Sequence, residues 1–242
     1  EMKGVLYSAC PDVRIVDLSH EIEPHDVVHG ALFLAGAVPY FPAETIHLAV
    51  VDPGVGTSRR ALIVRTCDQY VVCPDNGIIT ALVRSHKPTA IHEITSSAFL
   101  RPTVAATFHG RDVFAPVAAH LACGARQADA GPAVETPVLL DWPEAVEMPG
   151  GRLTGAVLRV DRFGNLVTNL HRDLLGSRSV LRTIVDDQQI IGMRTTYAEA
   201  ADGDLLVLYG SSGFVEIAVN GGSAAERLSA RRGHVVDVFT KG

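Results

Sequence analysis

The chain has 242 residues, of which 47% are hydrophobic and 20% are charged. This composition excludes disordered, collagen-like and coiled-coil proteins, and the length suits two domains of ordinary size. The 21 Lys and Arg residues against 27 Asp and Glu residues give a net charge of -6. Because such a chain does not attract polyphosphate, nucleic acid is not expected as a partner, and a small or cationic ligand is favoured.

The first half of the chain alternates strand-like and helix-like segments. Short β-rich runs predict strands at 13–18, 46–51, 61–65, 70–73 and 90–94. Helical periodicity predicts helices at 26–38, 78–85 and 112–123. Such alternation is typical of a parallel sheet covered by helices, so an α/β N-terminal domain is predicted at 1–130.

The second half has strand signals without helices between them. Strands are predicted at 155–161, 166–170, 179–185, 205–209, 214–219 and 234–239. A proline-rich stretch without a sustained period separates the halves and predicts a linker at 131–151. The remaining domain, 152–242, is predicted to be a small all-β barrel or sandwich.

Membrane and export signals are missing from the sequence. The longest apolar stretch, 27–41, is interrupted by His29 and Pro39, and a bilayer needs about 20 apolar residues. None of the cysteines belongs to a C-x-x-C pair, and no secretory signal is visible. We therefore expect reduced thiols in a cytoplasmic protein without membrane contact.

An apolar strand that ends in a Pro and Gly loop provides the first candidate site. Residues 50–60, VVDPGVGTSRR, place Asp52 and Arg59 in this loop. Ligands bind at the carboxyl ends of strands in open α/β sheets, and glycine lets the backbone approach a ligand closely. The alternative is a tight turn in which Asp52 caps a neighbouring segment, and the motif alone leaves both open.

Two further loops of the first half carry polar side chains. The sequence PDNG at 74–77 follows a predicted strand and suits either a site or a simple cap and turn. The sequence TFHGRD at 107–112 places His109 beside a glycine just before an apolar helix. Rigid elements position such loops for chemistry, and a structural histidine with satisfied hydrogen bonds is the alternative.

Two turns of the second half combine polar and aromatic groups. Residues 161–169, DRFGNLVTN, interrupt a strand pattern. Asparagine can hydrogen-bond an amide or adenine edge and phenylalanine can stack on a flat ring, but a β-bulge or hairpin fits the same residues. The turn YGSSGF at 209–214 could bind a carboxylate or merely join two strands.

Taken in order, five motifs resemble those of a known enzyme family: VVDPGVGT, PDNG, FHGRDVFAP, DRFGNLVTN and GSSGFVEIAVN. They are similar to the S-adenosylmethionine hydrolases that form adenosine, also called S-adenosylmethionine hydroxide adenosyltransferases, which are related to fluorinases and chlorinases. The resemblance covers about residues 3–238. It implies an α/β N-terminal domain and a small β-barrel, assembled as a homotrimer with substrate held between one subunit's N-terminal domain and a neighbour's barrel.

The resemblance also implies roles for individual residues. The Asp, Arg and His that hold the nucleophilic water in the hydrolases match Asp52, Arg59 and His109. Halogenating relatives lack this triad, so the resemblance favours hydrolysis over halide transfer. The substrate-binding positions of the family's barrel correspond to Asp161, Phe163, Asn165, Ser211, Ser212, Asn220 and Gly221.

One part of the family pattern lies outside the sequence. Members open with a strand and a T-D-F-G motif, followed by D-x-Y-V-G, whose acids hold the ribose and the amino acid. The present sequence starts at Glu1, after that point. We expect it to omit an N-terminal piece, so that the sheet lacks its first strand and the substrate lacks its ribose contact.

The implied reaction is attack of water or hydroxide on C5′ of S-adenosylmethionine, with adenosine and methionine as products. The sulfonium is already a good leaving group, so the reaction mainly needs a nucleophile in line with C5′ and sulfur. Arg59 would favour hydroxide, His109 would orient the water or take its proton, and Asp52 would hold both. This scheme needs no cofactor and no metal, and the histidines lack paired ligand spacing.

Three other functions stay open at the level of sequence. A halide-using adenosyltransferase would form 5′-halo-5′-deoxyadenosine. A non-catalytic binder of adenosine or S-adenosylmethionine would form no product. A metal-dependent hydrolase that uses Asp52, Asp75 and His109 would lose activity with a chelator.

Overall fold

The computed structural model describes residues 1–241, which form two compact units. The first unit is Glu1–Asp141, and the second begins at Trp142. Within the first unit, the Val134 N–H donates to the Ile91 carbonyl at 2.9 Å. The first part of the predicted linker is therefore bonded to the N-terminal unit. Among residues 1–241, no helix has both the length and the apolarity that a membrane span requires.

The first unit contains one sheet with helices packed against it. Its helices are α1 (Met2–Ala9), α2 (Val27–Ala37), α3 (Thr80–Ser85) and α4 (Ala115–Ala122). Its strands are β1 (Ile46–Leu48), β2 (Ala61–Thr66), β3 (Gln69–Pro74) and β4 (Ala90–Glu93), in the spatial order β1-β3-β2-β4. The side chain of Asp26 caps α2 by accepting the His29 N–H at 3.0 Å, which satisfies one of the free donors at the helix start.

The sheet is mixed, and this corrects the expectation of a parallel sheet. Strands β1 and β3 are parallel, but β2 is antiparallel to both β3 and β4. Cys67 and Asp68 join β2 to β3 and have φ angles of +52° and +55°. A two-residue turn with positive φ at both positions makes an antiparallel hairpin, usually with Asn-Gly or Gly-Gly. The pair Cys-Asp is not one of these usual turn pairs, so the sequence analysis did not predict the hairpin.

The predicted strand at 13–18 is the second correction, because this segment has no secondary structure. Val13 and Ile15 pack against the apolar core, which explains their apolar character. A strand also needs a neighbour for its N–H and C=O groups. Within the described part of the chain, β1 pairs only with β3. It therefore forms no backbone hydrogen bonds of a sheet with segment 13–18. Helix α1, which no sequence pattern predicted, precedes it and buries Leu6 in the same core.

The second unit is a barrel-like antiparallel sheet, as predicted. Its strands are β5 (Val146–Met148), β6 (Arg152–Val160), β7 (Leu166–His171), β8 (Ser179–Val185), β9 (Gln188–Ile191), β10 (Leu205–Tyr209), β11 (Phe214–Val219) and β12 (Val235–Lys241). The order is β10-β11-β7-β6-β12-β8-β9, and β5 pairs with β6. The Arg194 N–H, just after β9, donates to the Val207 carbonyl in β10 at 2.7 Å, so the two ends of the sheet nearly meet.

Six of these strands were predicted from strand signals without helices between them, and their apolar residues line the interior of the unit. Leu153, Val157, Leu166, Ile217 and Val236 are each 1% exposed or less. Four short elements were not predicted: β5, β9, α5 (Arg172–Leu175) and α6 (Ala224–Leu228). These four are too short to show a period of their own.

Candidate functional site

Asp52 and Arg59 form an ion pair in the loop that follows β1. Nε of Arg59 donates to Oδ1 of Asp52 at 2.8 Å, and Nη2 donates to Oδ2. The side chains of Arg59 and Asp52 are 9% and 5% exposed. The guanidinium also lies over the ring of the buried Phe114, 5.2 Å from its centroid. This bidentate contact fixes the guanidinium plane, and the low exposure limits the screening of its charge by water and salt.

The same guanidinium reaches His109, fifty positions away in sequence. Nη2 of Arg59 lies 2.9 Å from Nδ1 of His109. A guanidinium only donates hydrogen bonds, so Nδ1 accepts this one and the imidazole is neutral with its proton on Nε2. Burial lowers the pKa of His109, and the positive charge of Arg59 lowers it further. The structure thus brings Asp52, Arg59 and His109 together, while their catalytic role stays a prediction.

His109 is positioned by the helical turn that begins beside it. It immediately precedes the π-helical turn Gly110–Phe114, where the sequence predicted a loop and then the start of a helix. The buried carboxylate of Asp112 accepts the Ala105 N–H at 3.0 Å and also accepts hydrogen bonds from Nε and Nη2 of Arg111, each at 2.8 Å. The hydrogen bonds from Arg111 hold the pKa of Asp112 at about 2. This charged contact ties down the segment that leads into His109.

The loop that carries Asp52 and Arg59 touches the segment before His109 at one glycine. A Cβ on Gly56 would lie 2.5 Å from the carbonyl oxygen of Ala106, and the φ of Gly56 is +79°. Only glycine tolerates both the left-handed backbone and this close approach. The two loops therefore pack directly against each other at Gly56.

Gly56→Ala is expected to push these two loops apart and to strain the backbone, at a cost of about 1–3 kcal/mol for the positive φ. We expect a lower melting temperature and a lower kcat for the hydrolysis of S-adenosylmethionine that the resemblance implies, because the contact between Arg59 and His109 depends on this packing. Gly124→Ala is the matched control, since Gly124 has a φ of +90° and no atom within 4 Å of an added Cβ. Equal kcat in the two variants, measured beside thermal melting, would contradict the expectation.

A cavity of about 420 Å³ adjoins Asp52. Its walls are more apolar than polar and include Phe33 and Ile78. A larger cavity of about 660 Å³ in the same unit is lined by other residues, among them Arg65 and Tyr70, and includes none of the predicted site residues. We place the candidate site at the smaller cavity because Asp52, the acid of the ion pair, is one of its lining residues.

Three of the predicted substrate-binding residues lie in the turn between β6 and β7. The Asp161 carboxylate accepts the N–H of Phe163 at 2.8 Å, the N–H of Asn165 at 2.9 Å and the side-chain Nδ2 of Asn165 at 3.0 Å. The backbone is the hairpin that the sequence left open as an alternative. Asn165 is buried, whereas Phe163 is 63% exposed. The turn therefore presents an aromatic ring on the surface of the second unit.

The other predicted binding residues lie at the two ends of β11. Ser211 and Ser212 are exposed in the turn that precedes β11. Asn220 and Gly221 follow β11, and the side-chain amide of Asn220 donates to a backbone carbonyl at 2.8 Å. Because β11 is antiparallel to β7, Asn220 and Gly221 lie beside the β6–β7 turn and the two serines lie at the opposite end of the strand.

Glu216 lies between these two groups and was missed by the sequence analysis. Its Oε2 accepts the hydroxyl of Tyr197 at 3.4 Å. A Cβ on Gly210 would lie 1.8 Å from its Oε1. Burial raises the pKa of Glu216, and the negative charge of Asp161 raises it further. A lone acid in the apolar strand sequence FVEIAV is the signal that could have found it.

The metal-dependent alternative required Asp75 beside Asp52 and His109. The carboxylate of Asp75 is instead paired with the Arg60 guanidinium, with Nε at 2.7 Å. Both aspartates are therefore neutralised by an arginine. Within residues 1–241, no group of three or more His, Cys, Asp or Glu side chains is arranged to hold a metal ion.

An α/β unit with a part-buried Asp-Arg-His cluster, followed by a barrel-like β unit, defines a two-domain class of proteins. Comparison with known proteins identifies the family. The family model described as the SAM hydroxide adenosyltransferase N-terminal domain matches residues 1–131. The model of the C-terminal domain of the same family matches residues 155–237. The chain belongs to the SAM hydroxide adenosyltransferase family.

Individual relatives agree with this assignment. The chain is 45% identical over 232 residues to a protein of Salinispora tropica named (R)-S-adenosyl-L-methionine hydrolase, with 95% of this chain and 88% of the relative covered. It is 29% identical to a fluorinase of Actinopolyspora mzabensis, with 98% and 91% covered. A crystal structure of an uncharacterized conserved protein from Thermotoga maritima matches with a TM-score of 0.90 and 36% identity, covering 98% of this chain and 93% of that chain.

Proposed function

We propose that this protein hydrolyses S-adenosylmethionine to adenosine and methionine. The observation that carries the proposal is the part-buried contact of Arg59 with both Asp52 and His109. Relatives that are 39% to 45% identical over most of this chain are named (R)-S-adenosyl-L-methionine hydrolase. The fluorinases are more distant, at 27% to 29% identity.

The reaction transfers the adenosyl group from sulfur to oxygen. The water oxygen attacks C5′ as the bond between C5′ and sulfur breaks, the bonding electron pair goes to sulfur, and the proton that the water loses passes to the surrounding solvent. The sulfonium thereby becomes the neutral thioether of methionine, so the leaving group needs no acid. Catalysis consists mainly of placing the water in line with the breaking bond and of stabilising its hydroxide character.

The three side chains divide this work according to their contacts. Arg59 supplies a fixed positive charge that favours hydroxide, and Asp52 fixes the plane of its guanidinium. Nδ1 of His109 is occupied by Arg59, which leaves the Nε2–H as the group that points to the nucleophile. A donor at this position orients the water by a hydrogen bond to its oxygen, rather than removing a proton from it.

We further propose that the barrel residues bind the substrate in a homotrimer. Asn165 and Phe163 suit the adenine ring, and Asp161, Ser211 and Ser212 suit the amino acid part. The high exposure of the Phe163 ring supports a stacking surface for a ligand. Light scattering that gives the mass of a monomer, with and without substrate, would contradict the trimer.

We also propose the cytoplasm as the location of the protein. The four cysteines are free, which fits a reducing compartment.

The experiment that tests the proposed function is product analysis in chloride buffer made with 18O-labelled water. Purified protein and S-adenosylmethionine should yield adenosine with 18O in its 5′-hydroxyl, together with methionine. A reaction without protein gives the spontaneous breakdown to subtract. 5′-Chloro-5′-deoxyadenosine would identify a halide adenosyltransferase, tight binding without product would identify a binding protein, and inhibition by a chelator would support a metal-dependent enzyme.

A further inference from the structure

The loop between Asp52 and Arg59 has an exposed tip, formed by Thr57 and Ser58, that is bonded mainly to the loop itself. The Thr57 hydroxyl donates to the Gly54 carbonyl at 2.7 Å and accepts the Arg59 N–H at 3.3 Å. Two backbone hydrogen bonds, from Val55 to Asp52 at 3.3 Å and from Thr57 to Gly54 at 3.2 Å, complete the turn. These bonds join residues of the loop to one another and do not anchor its two ends to the rest of the unit. The residues that hold those ends come from the neighbouring loop after β3.

Asn76 holds the end of the loop that precedes Asp52. Its Nδ2 donates to the Val51 carbonyl at 2.8 Å. Its Oδ1 accepts the Ile78 N–H at 3.2 Å, which fixes the orientation of the side-chain amide. Asn76 therefore anchors the peptide group that leads directly into Asp52.

Asp75 holds the other end, directly after Arg59. Its backbone N–H donates to the Arg60 carbonyl at 3.0 Å. Its carboxylate, 2% exposed, pairs with the Arg60 guanidinium and accepts the Val138 N–H at 2.7 Å. The Arg60 carbonyl also accepts Nη1 of Arg59 at 3.3 Å. The Asp75 backbone N–H thus holds the carbonyl that the Arg59 guanidinium contacts, and the Asp75 carboxylate, which Asp75→Asn changes, holds the side chain of the same Arg60.

The topology explains why one loop can hold both ends of the other. Strands β1 and β3 are adjacent and parallel, so their carboxyl ends lie at the same edge of the sheet. The loop after β1 carries Asp52 and Arg59, and the loop after β3 carries Asp75 and Asn76. We propose that Asp75 and Asn76 are positioning residues that clamp the two ends of this loop and set the geometry of Arg59 against His109.

The consequence for function rests on the proposed hydrolysis. Asn76→Ala and Asp75→Asn are each expected to lower kcat by about 10- to 100-fold, because a displacement near 1 Å can reduce turnover by about 100-fold. KM should change little, because neither residue belongs to the predicted substrate-binding set. Steady-state kinetics on both variants give this split between kcat and KM.

A second measurement requires no substrate. NMR titration of His109 reports its surroundings, which are the charges of Arg59, Asp52 and Asp112. When the clamp is loosened, the guanidinium moves away from the imidazole and its charge no longer opposes protonation. We therefore expect the pKa of His109 to rise toward its ordinary value in both variants.

Asn169→Ala is the matched control for Asn76→Ala. Nδ2 of Asn169 also donates to a backbone carbonyl, that of Pro143, at 2.8 Å, and its Oδ1 also accepts a backbone N–H, that of Ala156, at 2.8 Å, but Asn169 lies in β7 of the second unit. We expect this variant to lose melting temperature and to keep the kcat and the His109 pKa of the wild type.

The outcomes separate the clamp from the proposed function. Wild-type kcat and an unchanged His109 titration in both clamp variants would overturn the clamp. If Asn76→Ala does not fold, Asp75→Asn decides, because it keeps the size and part of the hydrogen bonding of the side chain. If the wild type forms no adenosine, the proposed function fails, and the titration alone still decides whether Asp75 and Asn76 position Arg59.

Discussion

Arg59→Ala is expected to lower kcat for the hydrolysis of S-adenosylmethionine by about 100- to 1,000-fold, the loss seen when one preorganised charge-stabilising donor is removed from an active site. The variant loses the charge that favours hydroxide and the hydrogen bond that holds Nδ1 of His109. Steady-state kinetics with chromatographic detection of adenosine measure the effect. Wild-type kcat in this variant would remove Arg59 from the mechanism.

The controls for this variant separate catalysis from folding. Arg59→Ala leaves Asp52 without its partner, and breaking a buried pair typically costs about 3–5 kcal/mol of stability, so kcat is measured well below the melting temperature. Arg59→Lys keeps the charge but loses the bidentate geometry and is expected to fall between wild type and alanine. Arg65→Ala removes a guanidinium from a surface pair with Glu44 and should keep wild-type kcat.

The rate is expected to rise with pH through the pKa of His109 and then to level off. Neutral His109 accepts the hydrogen bond of Arg59, whereas the protonated ring would place a second positive charge against the guanidinium. Activity is therefore lost as the pH falls through the pKa of His109. Because burial and Arg59 lower this pKa below the usual 6.5, the half-maximum of the rate should lie below pH 6.5. A pH profile of kcat/KM checks this.

His109→Ala should lower the rate at all pH values and abolish the acidic limb of the profile. His86→Ala is the control, because His86 lies outside the candidate site, and it should leave the limb in place. A half-maximum above pH 6.5 in the wild type, or an unchanged limb in His109→Ala, would show that another group controls the rate.

The barrel domain shows how much of a fold can be predicted from local sequence pattern. Its short β-rich runs are separated by turn residues rather than by helices, and β8, β10 and β11 have the predicted bounds. The pattern of the first unit was less informative, since the turn Cys67-Asp68 folds β2 back on β3 without a glycine. Segment 13–18 has the composition of a strand, yet whether such a segment pairs depends on a neighbour that lies elsewhere in the chain.

The candidate site likewise combines residues that the sequence predicted with contacts that only the structure shows. Sequence placed Asp52 and Arg59 in one loop and His109 in another, because polar residues after apolar strands and before apolar helices mark loops. The resemblance implied that Asp52 holds both Arg59 and His109, whereas in the structure Asp52 bonds Arg59 and it is Arg59 that contacts His109. Neither the tautomer of His109 nor the anchoring of both loop ends by Asp75 and Asn76 was predicted.

The sequence by itself determined the two-part architecture, the family and the identity of the polar residues in each loop, because these follow from local periodicity and from ordered motifs. Only the tertiary structure decided which loops meet, since hydrogen bonds join atoms within about 3 Å regardless of their separation along the chain. The contact of Arg59 with His109 spans fifty positions. It exists because parallel β1 and β3 bring their loops to one edge of the sheet and Gly56 lets a third loop approach.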